Sequence, residues 1–188
     1  MSVPREPVWS LLVVACFSRH ASALDWAEAQ LTNEFGSILL KSQDFSFHHT
    51  TYYESTMGTQ LVKRLLVFDS MVVADCLPDV KHFTIGLEKT LAAGSAYAES
   101  RPINLDPGLL QLGKFLLAST KDQTQRIFLR DGIFAEVTLR FQGGAFDVWP
   151  WTYADYREES VRAFLNQARA LLYEKVALVR KSLKKTQD

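Results

Sequence analysis

Cysteine is scarce, glycine-rich phosphate loops are missing, and neither sign of charge prevails. Each absence removes a class of function. The 188 residues hold two cysteines, Cys16 and Cys76, both in apolar surroundings and with no CxxC or Cys/His cluster. A disulfide framework and a zinc site are therefore unsupported, and a reducing, cytoplasmic setting is expected. Basic and acidic residues number 21 each, a formal net charge of zero, so no nucleic-acid partner is expected. No GxxxxGK[ST] occurs, and no GxGxxG follows a strand, which removes the P-loop and the dinucleotide fingerprint. Thr120-Lys121-Asp122-Gln123 imitates a guanine-specificity tetrapeptide, but its acid stands one place too early. No GxSxG exists and neither cysteine has an adjacent base, so a Ser or Cys nucleophile has no support. The apolar run Trp9–Phe17 is far too short to span a bilayer, and no membrane partner is expected. With Arg5 before it and Ala21-Ser22-Ala23 after it, this run imitates a secretory signal. Arg19 and His20 interrupt it and a helix start follows, so the expectation is a buried first strand.

What is present is an ordinary globular composition, 47% hydrophobic and 22% charged, long enough for one domain over 1–188. Trp9–Ser18 reads as a strand covered on both faces. Ser22 with Asp25 suggests an N-cap, followed by the stripe Leu24, Ala27, Leu31 and Phe35 and a stop at Gly36. Ser37–Phe47 and Leu61–Val73 read as strands, separated by a polar and aromatic loop, His48–Gly58. Pro78 suits the first turn of a helix lined by Val80, Phe83, Leu87 and Leu91 and ending near Gly94. A polar hinge, Ser95–Ser100, leads to a short strand, Arg101–Leu105, and Asp106-Pro107-Gly108 reads as a turn. The strands Lys114–Thr120 and Ile133–Phe141 follow. A three-residue loop, Arg130-Asp131-Gly132, would set Leu129 against Ile133, Ile127 against Ala135, Phe128 against Phe134 and Arg126 against Glu136. Gly143-Gly144 closes this meander. After an aromatic linker, Trp149–Arg157, a helix from about Glu158 to Lys184 buries Val161, Leu165, Ala168, Leu172, Val176 and Val179, with Lys184 and Lys185 among the cations of its last turns. The fold class is α+β: a ferredoxin-like β-α-β-β-α-β sheet extended by a C-terminal β-hairpin and a long final helix.

Charges set into apolar strands need partners, so they form either structural ion pairs or a site. Asn104 and Asp106 project from one side of a strand end. Lys121 and Arg126 can hold a phosphate or carboxylate while Glu136 positions the guanidinium; the other reading is a cross-strand ion pair. Together with Arg101, these six are the candidate ligand-binding residues. Tyr53, Glu54, Trp151, Tyr153 and Asp155 are candidate pocket lining, with the alternative that the aromatic loops merely plug the sheet ends. His48-His49, His20 and His82 lack ligand spacing, so no metal and no cofactor is expected. Glu54, Glu88, Asp106, Glu136 and Asp155 are scattered, and no acid–base pair or reaction is assigned. The leading expectation is binding of a small anionic or phosphorylated metabolite or nucleotide. The alternative is an interaction or assembly module using the aromatic linker or the final helix. Homo-oligomerisation is left open.

Several motifs in order carry a resemblance. They are Tyr53 to Met57-Gly58, Ile103-Asn104-Leu105-Asp106-Pro107-Gly108, Leu117-Ala118-Ser119-Thr120-Lys121, Arg126-Ile127, Gly132-Ile133 through Glu136-Val137-Thr138-Leu139, and Trp151-Thr152-Tyr153 before Asp155-Tyr156. Across nearly the whole chain they resemble the bacterial family described as domain of unknown function 4416. The resemblance implies no established activity. Some members bear a GTP-binding label, to which no motif here corresponds. Relative to the family pattern, Thr56 stands where an acid is usual, Gln125 where a histidine precedes the arginine, Leu109 for an aromatic and Ala154 for a proline. If that acid or histidine is catalytic in relatives, the resemblance implies binding without turnover here.

Overall fold

The computed structural model describes residues 3, 8–48, 50–94 and 96–185. Arg5, His49, Ser95 and the side chains of Lys184 and Lys185, which figure in the sequence reading, lie outside the described residues. The organising element is β1 (Ser10–Ser18), buried along its whole length. Its side chains alternate: Leu11, Val13, Ala15 and Phe17 enter one core, while Leu12, Val14 and Cys16 enter another. A strand apolar on both faces must be covered on both. On one face lie α1 (Ala21–Phe35) and α3 (Leu77–Ala93); on the other lies α5 (Glu159–Lys185).

Around β1 the chain builds a nine-stranded antiparallel sheet. The remaining strands are β2 (Ile38–Lys41), β3 (Phe45–Phe47), β4 (Leu61–Val72), β5 (Asn104–Leu110), β6 (Lys114–Ser119), β7 (Ile127–Arg130), β8 (Ile133–Gln142) and β9 (Ala145–Val148). Their order is β2-β4-β1-β5-β6-β8-β7, with β3 also along β4 and β9 also along β8. Each outer edge is thus made of two short strands. Two short helices, α2 (Glu54–Met57) and α4 (Ala154–Arg157), stand in the loops that the sequence reading left irregular. The chain is a mixed α and β fold with a large antiparallel sheet and helices on both faces.

Four local expectations need correction. The strand expected over 37–47 is broken, because the Ser42 side chain accepts the Leu65 N–H in place of a ladder bond and the Asp44 carboxylate turns to Arg64. α1 begins at Ala21 with His20 at the cap, since the Ser22 hydroxyl meets Tyr97 instead of the helix end. The terminal hairpin turns on two residues, Asp131 and Gly132, both left-handed (φ 52° and 74°), as a strand-matching tight turn requires. A bulge at Leu129 sets Arg130 against Ile133, while the Ile127–Ala135 and Phe128–Phe134 pairs form as the pattern predicts.

The fourth correction shapes the site. Asp106-Pro107-Gly108 is not a turn but the middle of β5. Pro107, which has no N–H to give a ladder, pairs opposite Val14 of β1 at a level where β6 has no partner for it. Pairing with β6 starts only at Gly108, opposite Leu117. There the strands come so close that a β-carbon on residue 108 would stand 2.4 Å from the Leu116 carbonyl oxygen. Below Gly108, β5 and β6 part.

Candidate functional site

The parting of β5 and β6 opens a cavity of about 460 Å³ at the C-terminal end of β1. Strand register explains its polar floor. Lys63 of β4 pairs opposite Phe17, Phe17 opposite Asn104, Ala15 opposite Asp106, and Leu117 opposite Glu136. The side chains of Lys63, Asn104, Asp106 and Glu136 therefore lie on the sheet face that α5 covers further along.

Each acid there is matched to a cation. Lys63 Nζ, itself 1% exposed, donates to Asp155 Oδ2 at 2.6 Å and stands 3.3 Å above the Tyr156 ring. Lys81 reaches over from α3 to donate to the Leu105 carbonyl (2.9 Å) and to Asp106 Oδ1 (3.0 Å). Asp106 Oδ2 accepts the Asn104 amide at 2.7 Å. Arg101 donates one terminal nitrogen to Glu88 Oε2 (3.0 Å) and to Asn104 Oδ1, while Glu88 Oε1 accepts the Leu105 N–H. Burial alone would raise the Asp106 pKa, but Lys81, Asn104 and Arg101 outweigh it and hold the carboxyl below its usual range. For Glu88 burial wins and its pKa is raised. Burial likewise pushes the Lys63 ammonium down against the pull of Asp155.

Arg126 bonds through all three of its nitrogens. Its Nε donates to Glu136 Oε2 at 2.8 Å, Nη1 to Ser119 Oγ (2.7 Å) and the Lys121 carbonyl (3.0 Å), and Nη2 to the Tyr153 hydroxyl. Glu136 Oε1 accepts the Thr138 hydroxyl. The guanidinium ties the loop after β6 to the tyrosine before α4, so it shapes the cavity wall with no terminal nitrogen left over.

Lys121, Arg101 and Tyr156 are among the groups that keep hydrogen-bonding capacity. Exposed Lys121 donates only to the Tyr52 hydroxyl (3.0 Å), lies 4.6 Å from that ring, and meets no carboxylate among the described residues. That bond lowers the Tyr52 pKa. Arg101 has Nε and Nη1 without a partner among the described residues. The Tyr156 hydroxyl is buried and makes no hydrogen bond, although Tyr156 lines the cavity. Burial raises the pKa of Tyr53, Tyr153 and Tyr156, so each keeps its proton to donate.

All six candidate ligand-binding residues, Arg101, Asn104, Asp106, Lys121, Arg126 and Glu136, line this one cavity, as do Tyr53, Tyr153 and Asp155. Glu54 and Trp151 do not. Glu54 is exposed in the first turn of α2. Trp151 stacks on Trp149 at 5.1 Å and borders a separate shallow groove beside Ile127. Sequence reasoning missed Lys63 and Lys81, whereas Tyr156 is among the linker aromatics read as able to line a pocket. The signal for Lys63 was present: Leu61, Lys63, Leu65 and Val67 alternate on one face, so a lysine in that series points inward. His20 meets Glu99 and His82 meets the Asp131 carbonyl, and neither lines the cavity. No group of three His, Cys, Asp or Glu with metal-holding geometry exists among the described residues. Cys16 belongs to the core opposite the cavity, where burial pushes its thiol pKa up and leaves it inert.

The fold and the cavity define a class: an α and β sheet protein with a cation-bearing, aromatic-walled pocket where two central strands separate. The chain belongs to the family described as Domain of unknown function (DUF4416), whose sequence profile matches residues 8–172. No curated protein and no solved structure matches the chain.

Proposed function

We propose that this protein binds a small anionic or phosphorylated metabolite, nucleotides among them, in the cavity between β5 and β6, without a P-loop. The observation that carries the reading is Lys121. It is the one lining cation with no carboxylate partner among the described residues, and it shares the cavity with the two unused donor nitrogens of Arg101. The volume suits a metabolite-sized ligand. The anion grip in this reading is Lys121 with Arg101, and Arg126 with Glu136 holds the wall. Asn104 and Asp106 fix Arg101 and Lys81 from below. No reaction is assigned.

Thermal unfolding of the full chain against nucleotides and phosphorylated metabolites tests this. A ligand at a hundred times its dissociation constant adds about 2.7 kcal/mol, a rise of roughly 5–11 °C at about 2–4 °C per kcal/mol. The rise should vanish in a folded Lys121→Ala protein. No shift with any anion overturns the reading.

A second reading, an interaction or assembly module, is favoured by Tyr173 and Leu178, exposed on the far part of α5, and by Trp151 in the linker. It requires a dimer or larger species in sedimentation, and a monomer at high concentration overturns it. The order β2-β4-β1-β5, with α1 and α3 on one face, supports reading the first half of the sheet as ferredoxin-like. Two free thiols support a reducing, cytoplasmic setting. Among the described residues no helix is long and apolar enough to cross a membrane.

A further inference from the structure

Resting on the proposed function, we infer that the phenol hydroxyls of Tyr52 and Tyr153 donate hydrogen bonds to the bound anion, which restricts the ligand's charged group to an oxyanion with strong acceptors. The observation is the direction of two hydrogen bonds. Lys121 Nζ donates to the Tyr52 hydroxyl at 3.0 Å, and Arg126 Nη2 donates to the Tyr153 hydroxyl. An ammonium and a guanidinium have protons to give and no lone pair with which to accept one. Each phenol oxygen therefore receives from its cation, and its own O–H points to some other acceptor. Neither hydroxyl donates to a described residue. Both tyrosines line the cavity and are exposed, at 63% and 44%.

The two phenols come from separate segments, Tyr52 from just before α2 and Tyr153 from just before α4. The loop after β6 backs both. The Lys121 side chain holds Tyr52, and the Lys121 carbonyl accepts Arg126 Nη1 (3.0 Å), whose other terminal nitrogen holds Tyr153. A hydroxyl that accepts from a cation is polarised and becomes the stronger donor in turn. The Lys121 bond lowers the Tyr52 pKa in the same sense, whereas burial keeps Tyr153 protonated. An anion in the cavity thus meets two neutral O–H donors beside the charges of Lys121 and Arg101. Phosphate, carboxylate and sulfate oxygens take such bonds; an anion of equal charge with feeble acceptors does not. Arg126, enclosed in the wall, acts on the ligand through Tyr153 and is a positioning residue. Tyr156 has no such role, because its hydroxyl is buried.

Calorimetric titration of the full chain tests this with inorganic phosphate, AMP and any anion that raises the melting temperature. Tyr52→Phe and Tyr153→Phe should each weaken binding by roughly 10-fold or more. Carbon NMR spectra of protein labelled at the tyrosine ring carbon that bears the hydroxyl give a second readout. The Tyr52 and Tyr153 signals should move as phosphate is added, while Tyr97 and Tyr173, outside the cavity lining, stay still. Tyr52→Phe removes only an exposed hydroxyl and assigns its own signal, so the test survives if Tyr153→Phe unfolds. Acetate should displace phosphate, whereas perchlorate, of equal charge but a feeble acceptor, should not. Binding that leaves both phenol signals unmoved, Phe variants that bind as tightly as wild type, or perchlorate displacing phosphate as well as acetate does, overturns this inference alone. Failure of every anion to bind, or binding indifferent to Lys121→Ala, overturns the proposed function and this inference with it.

Discussion

Arg126 and Glu136 form a buried ion pair in the wall of the cavity. Both side chains are 1% exposed, so their charges are desolvated, and each depends on the other to offset that cost. Arg126→Ala should destabilise by about 3–5 kcal/mol in urea unfolding, since it leaves Glu136 charged and alone. The double change Arg126→Met with Glu136→Leu should recover most of that loss, because the unpaired charge goes as well. Asp106 gives a pH signature. Its pKa is lower in the folded chain than in the unfolded one, so its stabilising effect is present above the unfolded value, about 3.9, and is lost as pH falls through the folded one. The stability gap between wild type and Asp106→Asn should therefore be open at pH 7 and close as pH drops below about 4. Urea midpoints measured along that range check it. The pairing of Arg126 with Glu136 was legible in the sequence, because hairpin register fixes which side chains meet. That its terminal nitrogens meet Ser119 and Tyr153 was not, since those residues come from segments that no local pattern places beside it.

Among elements, β5 repays attention because its sequence imitates something else. Proline and glycine after an aspartate are turn chemistry in isolation, yet here they sit inside a strand, one where pairing is missing and one where it is closest. Tertiary context overrides local propensity, and no single-segment reading could anticipate it. Gly108→Ala should therefore cost about 1–3 kcal/mol or more, since its β-carbon meets backbone that cannot move aside. Gly86 lies in α3 with nothing within 4 Å of a β-carbon, and there Gly86→Ala should stabilise by about 0.5–1 kcal/mol. Opposite signs in thermal melts of the two variants are the check. Elements with long unbroken patterns were read closely: β1, β4, α1, α3 and α5 fall within a few residues of expectation. The short ones, β9, α2 and α4, were not, because four residues carry too little periodicity to separate them from loop.

At the scale of the whole molecule, the sheet is wide, and a wide antiparallel sheet is exposed to self-association along its margins. Here those margins are interrupted: β2 and β3 are four and three residues long, and β7 and β9 are four each. No outer strand offers a run of free backbone groups long enough to template another chain, so fibril growth lacks a seed even where Ile127 and Phe128 are exposed. Ser42 and Asp44 break one margin, and polar residues set into an apolar strand are the kind that oppose cross-β pairing. Replacing both with valine joins 38–47 into one apolar margin, and that variant should bind thioflavin T and scatter light at concentrations where wild type stays clear. The interruption that spoiled a simple strand assignment also denies a second chain a continuous strand to pair with along this margin.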